Sequence, residues 1–270
     1  MKIIAIALVV IILLVGIGYW GFHVAPKPFE PYPGTTPELK TLPLPAGLPA
    51  PVKRFYQSTA GDQVPVVDTA VITMHGSMKL FGIRMPMRSR VVHKAGQGFW
   101  RIMQPTFFGY PIATLLDTYW DGVAHLDMPG IQDNDPKMNS ASNLVLWAEA
   151  TAFPGILLTD PRVKWEGIDD THARLVVPSP EGTDSMTFTF DEATGLVKAM
   201  ECQRWRDPKH SAKSTWRTTS VPADKQLFGG MRLDAAGVVA WNDEAPWFER
   251  TTDEVLYNVD IMPFIQANQR

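Results

Sequence analysis

The sequence predicts a mainly β protein: an N-terminal transmembrane helix, then a strongly curved antiparallel sheet, a half-barrel or open barrel of about a dozen strands with one or two short covering helices. Three observations predict it. An uncharged apolar run opens the chain, a proline-dense stretch follows, and beyond residue 52 apolar residues recur mostly in short alternating runs bounded by turn residues. The 270 residues are 45% apolar and 20% charged, with a formal net charge of −3. Such a chain is globular; the values exclude a wholly disordered or multi-span protein and argue against nucleic-acid binding. One cysteine, Cys202, excludes an intramolecular disulfide and a thiolate zinc site.

Residues 1–22 form the expected membrane anchor. Ile3 to Phe22 carries no charge and is rich in Ile, Leu and Val. As a helix it reaches about 30 Å, the thickness of a bilayer's hydrocarbon core. Tyr19 and Trp20 fall near its end, where aromatic rings favour the headgroup level. Lys2 and the amino terminus favour a cytoplasmic N-terminus, with the folded part outside the cytoplasm. The competing expectation is a cleaved signal peptide, but its small-x-small site fits poorly around Ala25 because His23 stands two residues earlier.

Residues 23–51 are expected to be an extended linker. Nine prolines stand between His23 and Pro51, removing donors and fixing φ, so neither a helix nor an interior strand forms. At polyproline spacing the segment spans at most about 90 Å.

Residues 52–270 are read as one β-rich extracytoplasmic part. Val52, Phe55, Tyr56 and Thr59 recur at helical spacing up to Gly61. Asp68–Leu80 and Met85–Lys94 read as a hairpin closed by Phe81-Gly82-Ile83-Arg84, with Leu80 opposite Met85. One face then carries Ile72, Met74, Met78, Leu80, Met85, Met87, Val91 and His93. The other carries Thr73, His75, Ser77, Lys79, Arg88 and Arg90. Further strands are expected at 98–106, 111–120, 122–128, 163–168, 172–177, 185–190, 196–206, 215–220, 226–233, 237–241 and 255–261. A polar loop, Gln132 to Asn139, leads into a helix from about Ser140 to Phe153, stopped by Pro154-Gly155, with Leu144, Trp147, Ala148 and Phe153 on one stripe. Two stacked sheets are the alternative architecture.

Charge is segregated. Thr69 to Leu116 contains no acid, whereas Asp117 to Asp170 contains ten. Neutralisation across the sheet accounts for this, and so does a cationic face, centred on Arg88 and Arg90, meeting an anionic partner. Patterns for nucleophilic, metal and phosphate chemistry are missing, so no catalytic residue, metal or cofactor is assigned and an enzyme is disfavoured. The weaker candidates read as structure. His125 and Asp127 form a strand pair, Asp133 and Asp135 a solvated turn, and Cys202 a buried small residue. Glu149, an acid in an apolar helix, is expected to pair with an arginine such as Arg162.

Several stretches resemble an uncharacterised family of bacterial membrane-anchored or secreted proteins, a domain of unknown function. They are Gly61-Asp62-Gln63-Val64-Pro65-Val66-Val67, Asn143-Leu144-Val145-Leu146-Trp147-Ala148-Glu149, Thr159-Asp160-Pro161-Arg162-Val163-Lys164-Trp165-Glu166 and Val255-Leu256-Tyr257-Asn258-Val259-Asp260. The resemblance implies no activity. In architecture the strand count and covering helix are similar to half-barrel lipoprotein carriers of the bacterial envelope. The expected function is that of a tethered binding protein. A lipid or other apolar ligand would lie against Met74, Met78, Met85, Met87, Trp147 and Phe153. The alternative is a module that docks an envelope protein through Arg88 and Arg90, and a hydrolase is the remotest reading.

Overall fold

Two-residue turns build the first half of the sheet. In the computed structural model, which describes residues 2–127, 133–180, 182–221 and 226–269, Phe81-Gly82, Phe108-Gly109 and Asp121-Gly122 all have positive φ at both positions. That conformation matches the twist of the flanking strands and suits a glycine in second place. Met128 and Gln132, placed by sequence at a strand end and a loop start, lie outside the described residues.

In chain order the elements begin with α1 (Lys2–Gly21), β1 (Thr41–Pro43), α2 (Ala50–Ala60), β2 (Gln63–Pro65), β3 (Thr69–Leu80) and β4 (Ile83–Lys94). Next come β5 (Gly98–Phe107), β6 (Tyr110–Pro111), β7 (Leu115–Trp120), β8 (Val123–Leu126), α3 (Pro136–Glu149), a 3-10 turn (Ala150–Ala152) and α4 (Ile156–Thr159). The second half holds β9 (Lys164–Gly167), β10 (His172–Ser179), β11 (Gly182–Phe190), β12 (Val197–Arg204) and β13 (Ser214–Val221). It ends with β14 (Gln226–Phe228), β15 (Met231–Leu233), β16 (Ala236–Trp241), β17 (Phe248–Tyr257) and α5 (Met262–Asn268).

Thirteen strands form one open antiparallel sheet in the order β8-β7-β5-β4-β3-β17-β16-β13-β12-β11-β10-β9, with β6 on β5. The two halves meet where β17 pairs β3, from Phe248 opposite Met78 to Tyr257 opposite Ala70. Gly76 permits that approach, since a Cβ there would fall 1.9 Å from the Glu249 carbonyl oxygen. Sequence patterning placed the last strand at 255–261; it is longer and earlier, because its polar stretch Glu249–Glu254 pairs along β3. The first hairpin also differs in register. Leu80 faces Ile83 rather than Met85, because the loop has two residues and not four. A slip of two leaves each side chain on its expected face.

The methionine-bearing face is the inner one. Met74, Met78 and Met87 are buried, with Trp147 and Phe153, in one core that runs across both halves of the sheet. Met85, near the hairpin tip, is half-buried.

The covering helix is more deeply set than a single apolar stripe implies. It starts at Pro136, capped by Asp135, whose carboxylate accepts from the Lys137 and Met138 amides, rather than near Ser140. From Met138 to Ala148 every residue but Asn139 is buried. The reason is curvature: α3 touches β5, β7 and β8 at one end of the sheet and β10 and β12 at the other. It therefore fills the gap that the open sheet leaves. Asn143 spans that gap, accepting from the Tyr119 hydroxyl on β7 (3.2 Å) and donating to the Pro178 carbonyl on β10 (2.8 Å).

Proline-dense residues after α1 do not stand away from the sheet but lie along its outer face. The Arg88 guanidinium donates to the Lys27 and Pro28 carbonyls, and Arg90 donates to that of Glu30. Phe29 stacks on both guanidinium groups, at 4.3 and 4.8 Å. Further along, the Tyr32 hydroxyl donates to the Asp260 carbonyl and the Tyr257 amide to the Thr36 hydroxyl. An extended segment without internal hydrogen bonds keeps its carbonyls free for such donors.

Replacing Asn143 by Ala leaves the Tyr119 hydroxyl and the Pro178 carbonyl without their partner in the interior. Asn143→Ala is expected to lose about 2–4 kcal/mol, read as a lower urea midpoint with an unchanged slope. An unchanged midpoint would mean that other contacts hold the two sheet ends to the helix.

Candidate functional site

A helix that ends on a carboxylate places negative charge at the negative end of its dipole, so the surroundings must compensate. Glu149 is the last residue of α3, and its side chain, 26% exposed, turns toward the inner sheet face. Arg101 on β5 reaches it at 2.5 Å (Nη2 to Oε2). His93 on β4, with no exposed side-chain surface, brings Nε2 to 3.0 Å of the same oxygen, off the line of a hydrogen bond. Arg101 also lies 3.5 Å from Asp117, its partner across β5 and β7. Arg204 donates from Nε to the Ala141 carbonyl of α3, and Arg250 donates to the Thr252 hydroxyl.

The electrostatics follow from this placement. Burial opposes ionisation of Glu149, but Arg101, the His93 ring and Arg250 together outweigh it and hold the carboxyl down at about 2. Burial raises Asp117 despite Arg101 and Arg204. Burial likewise lowers Arg204 and Arg250, partly offset by the acids nearby. Among the described residues, His93 Nδ1, Arg101 Nε and Trp147 Nε1 are buried with no hydrogen-bond partner in the protein. Unpaired groups of this kind oppose folding, at about 1–3 kcal/mol each. The cluster thus seats the end of α3 through charge in an otherwise apolar interior.

Of the residues singled out from sequence, Met74, Met78, Met87, Trp147 and Phe153 come together in the inner core, with Met85 at its margin. Trp147 and Phe153 are fully buried and fill the space under the helix. Two clefts instead lie beneath the proline-dense segment. One, of about 310 Å³, is lined by Pro26, Phe29, His75, Arg88 and Asp253. Arg88 and Arg90 lie together on the outer face, engaged with that segment.

Glu149 does pair with arginine, but with Arg101 rather than Arg162, which binds Asp160 instead. Spacing along the chain favoured the nearer residue; the curved sheet brings the farther one beneath the helix. His125 bonds Asp133 at the surface, not Asp127, and Asp135 is spent on the helix cap. Burial pushes the Cys202 thiol up to about 12, so it is unreactive. No group of three or more metal-binding side chains occurs among the described residues. The roles of His93, Asp117, Arg204, Arg250 and Asn143 escaped the sequence reading. Only the Arg101–Asp117 pair left a signal there, as opposite charges on successive strands.

Glu149 is more acidic folded than unfolded, so its stabilisation is complete above its ordinary value of 4.5 and disappears as pH falls from there through about 2. Asp117, raised by burial, has the opposite sign: its ionisation opposes folding as pH rises. Glu149→Gln is expected to lose about 3 kcal/mol near neutral pH, because it leaves Arg101 buried with a reduced partner. It should also flatten the loss of stability between pH 4.5 and about 2, measured by denaturant titration across that range. An acid limb identical to that of the unaltered protein would remove Glu149 from the cluster's energetics.

Comparison with known proteins locates the chain by family. The family described as a family of unknown function, DUF6544, matches residues 38–250. No curated protein matches the chain. Among solved structures, a DUF1329 family protein from Desulfovibrio piger is similar at 12% identity and a TM-score of 0.45, over 82% of this chain and 96% of that one. A putative outer membrane lipoprotein-sorting protein domain from Vibrio parahaemolyticus is similar at 10% identity and 0.40, over 80% and 94%. A LolA superfamily protein from Nitrosomonas europaea is similar at 9% identity and 0.44, over 80% and 93%.

Proposed function

The chain belongs to the DUF6544 family, and we propose that it is a membrane-anchored binding module which takes an apolar ligand, a lipid acyl chain, between the inner sheet face and α3. One observation carries the reading. The inner face is largely apolar, lined by Met74, Met78, Met87, Met186 and Met200, and α3 covers it across the open side while α2 packs on β9 and β10 beside it. Unbranched thioether side chains repack at low cost around a guest of variable shape, which suits acyl chains. Trp147 and Phe153 occupy the space in the closed state. Binding therefore means that α3 moves outward and the guest replaces its contacts.

The polar fastening of the helix supports this. A buried ion pair contributes less to stability than an apolar contact of equal volume, yet it fixes a position sharply. Glu149–Arg101 and the two bonds of Asn143 hold α3 in one seat and break as discrete contacts when it leaves. No catalytic step is part of the reading.

The same reading takes α1 as a retained anchor, with its N-terminus cytoplasmic and the sheet outside. Its 20 residues match a bilayer core in length. Its last turn is also built into the fold: the Phe108 amide donates to the Gly21 carbonyl, and Phe22 meets Phe107 edge-on. Cleavage after this segment would remove packed structure.

Photoactivatable palmitate offered to the full chain in lipid nanodiscs tests the ligand. Crosslinks are expected on the inner face, near Met87, Met186 and Trp147, and should increase severalfold in Glu149→Gln, whose helix is less firmly seated. Crosslinks confined to α1 would overturn the reading.

A further inference from the structure

One rim of the sheet is apolar, exposed and joined to the membrane helix. Phe81 and Ile83 at the β3–β4 turn are 90% and 51% exposed; Phe108, Tyr110 and Ile112 at the β5–β6 turn are 39%, 57% and 54% exposed. The register of β4 with β5 puts both turns at the same end of the sheet, since Met87 faces Pro105 and the strands run on toward Ile83 and Phe107. Large apolar side chains seldom gather on a water-facing rim without a partner.

The partner is indicated by what the rim is attached to. The Phe108 amide donates to the carbonyl of Gly21, the final residue of α1, at 2.8 Å. The Lys27 amide donates to the Gly109 carbonyl at 2.9 Å, and Lys27 Nζ lies 3.8 Å from the centre of the Tyr110 ring. Gly21 packs so closely on Phe107 that a Cβ there would clash with the ring. A helix of 20 residues spans about 30 Å, so its end lies at the boundary of the hydrocarbon core. A turn hydrogen-bonded to that end lies at the same depth. The composition is that of an interface: Tyr19, Trp20 and Phe22 stand at the end of the helix, with Phe22 against Phe107, and Phe108 and Tyr110 stand on the turn bonded to it. Residues 22–29 and 98–116 contain no acid, and Lys27 lies among them, while Arg84 at the β3–β4 turn is paired with Glu249.

We infer that the β3–β4 and β5–β6 turns are seated in the headgroup layer of the bilayer that holds α1, so that the sheet is fixed on the membrane and does not swing on the proline-dense segment. This rests on α1 being a retained anchor. The segment after α1 is then a strap, already folded back along β3 and β4 through Arg88 and Arg90. The sheet axis stands upright on the membrane. Its opposite end, marked by the Asp121-Gly122 turn, is carried about 30 Å away by the ten residues of β5.

Full-length protein in vesicles of phosphatidylcholine and phosphatidylglycerol tests this, with an environment-sensitive fluorophore at single introduced cysteines. Cys202 is buried and should not label in the folded protein. The positions are Phe81→Cys and Ile112→Cys on the rim, Val123→Cys at the far end, and Ile11→Cys within α1. Val123 is itself an exposed apolar residue, so it controls for hydrophobicity alone. The labels at 81 and 112 should be blue-shifted, and quenched at least threefold more than that at 123 by lipids brominated near the headgroup. The label at 11 should respond to quenchers deep in the acyl chains. If 11 is quenched while 81 and 112 match 123, the seated rim is overturned and the anchor stands. If 11 is not quenched, the anchor reading falls, and this one with it.

Discussion

An open, strongly curved sheet leaves two problems: an apolar inner face wider than its own side chains cover, and two ends whose gap exposes that face to water. α3 meets both at the open side, and α2 packs on β9 and β10 beside it. α3 lies between β5, β7 and β8 on one side and β10 and β12 on the other, and nearly all its residues are buried. Backbone polar groups within a helix are satisfied internally, so a helix fills such a gap without needing ladder partners, as a further strand would. The helix does need an exact seat, which apolar contacts alone do not define. Asn143 supplies it by bonding to both ends of the sheet.

The charged cluster under the C-terminal end of α3 has the same role there. Burying Glu149, Arg101 and Asp117 has a desolvation cost that their attraction only partly recovers. What the arrangement adds is definition, because a carboxylate at the C-terminal end of a helix is disfavoured by the helix dipole and favoured where a cation faces it. His93, wholly enclosed and without a protein partner at Nδ1, lies beside this pair. The interior thus combines adaptable methionine packing with a few directional contacts, a pairing suited to a cover that has one closed position and is able to leave it.

On the outer face, the two arginines that sequence alone set against an anionic partner are engaged by the chain itself. Arg88 and Arg90 bind carbonyls of the proline-dense segment and carry the ring of Phe29. Proline directs this arrangement. A residue without an amide hydrogen cannot extend the sheet, yet its neighbours' carbonyls remain available to guanidinium donors. The segment becomes a strap, and the orientation of the sheet relative to α1 follows from it.

Local pattern was enough to determine the apolar opening helix, the proline-dense stretch, the β class, the glycine turns and the apolar, methionine-bearing face of the first hairpin, because each depends on residues close in sequence; that this face is the inner one was decided by the structure. Even the two-residue slip at Phe81-Gly82 did not disturb the assignment of faces, since side chains alternate with a period of two. The curvature of the sheet, the pairing of β17 with β3, the burial of α3 on all sides and the partners of Glu149 were decided only by tertiary structure. Arg101 and Glu149 are brought together by strands that join residues far apart in the chain, and such a meeting depends on register, twist and turn length acting together. Nothing within a short window of sequence encodes that sum. The apolar lining was therefore legible as composition, whereas the way α3 fills the open side was decided by the curvature of the sheet.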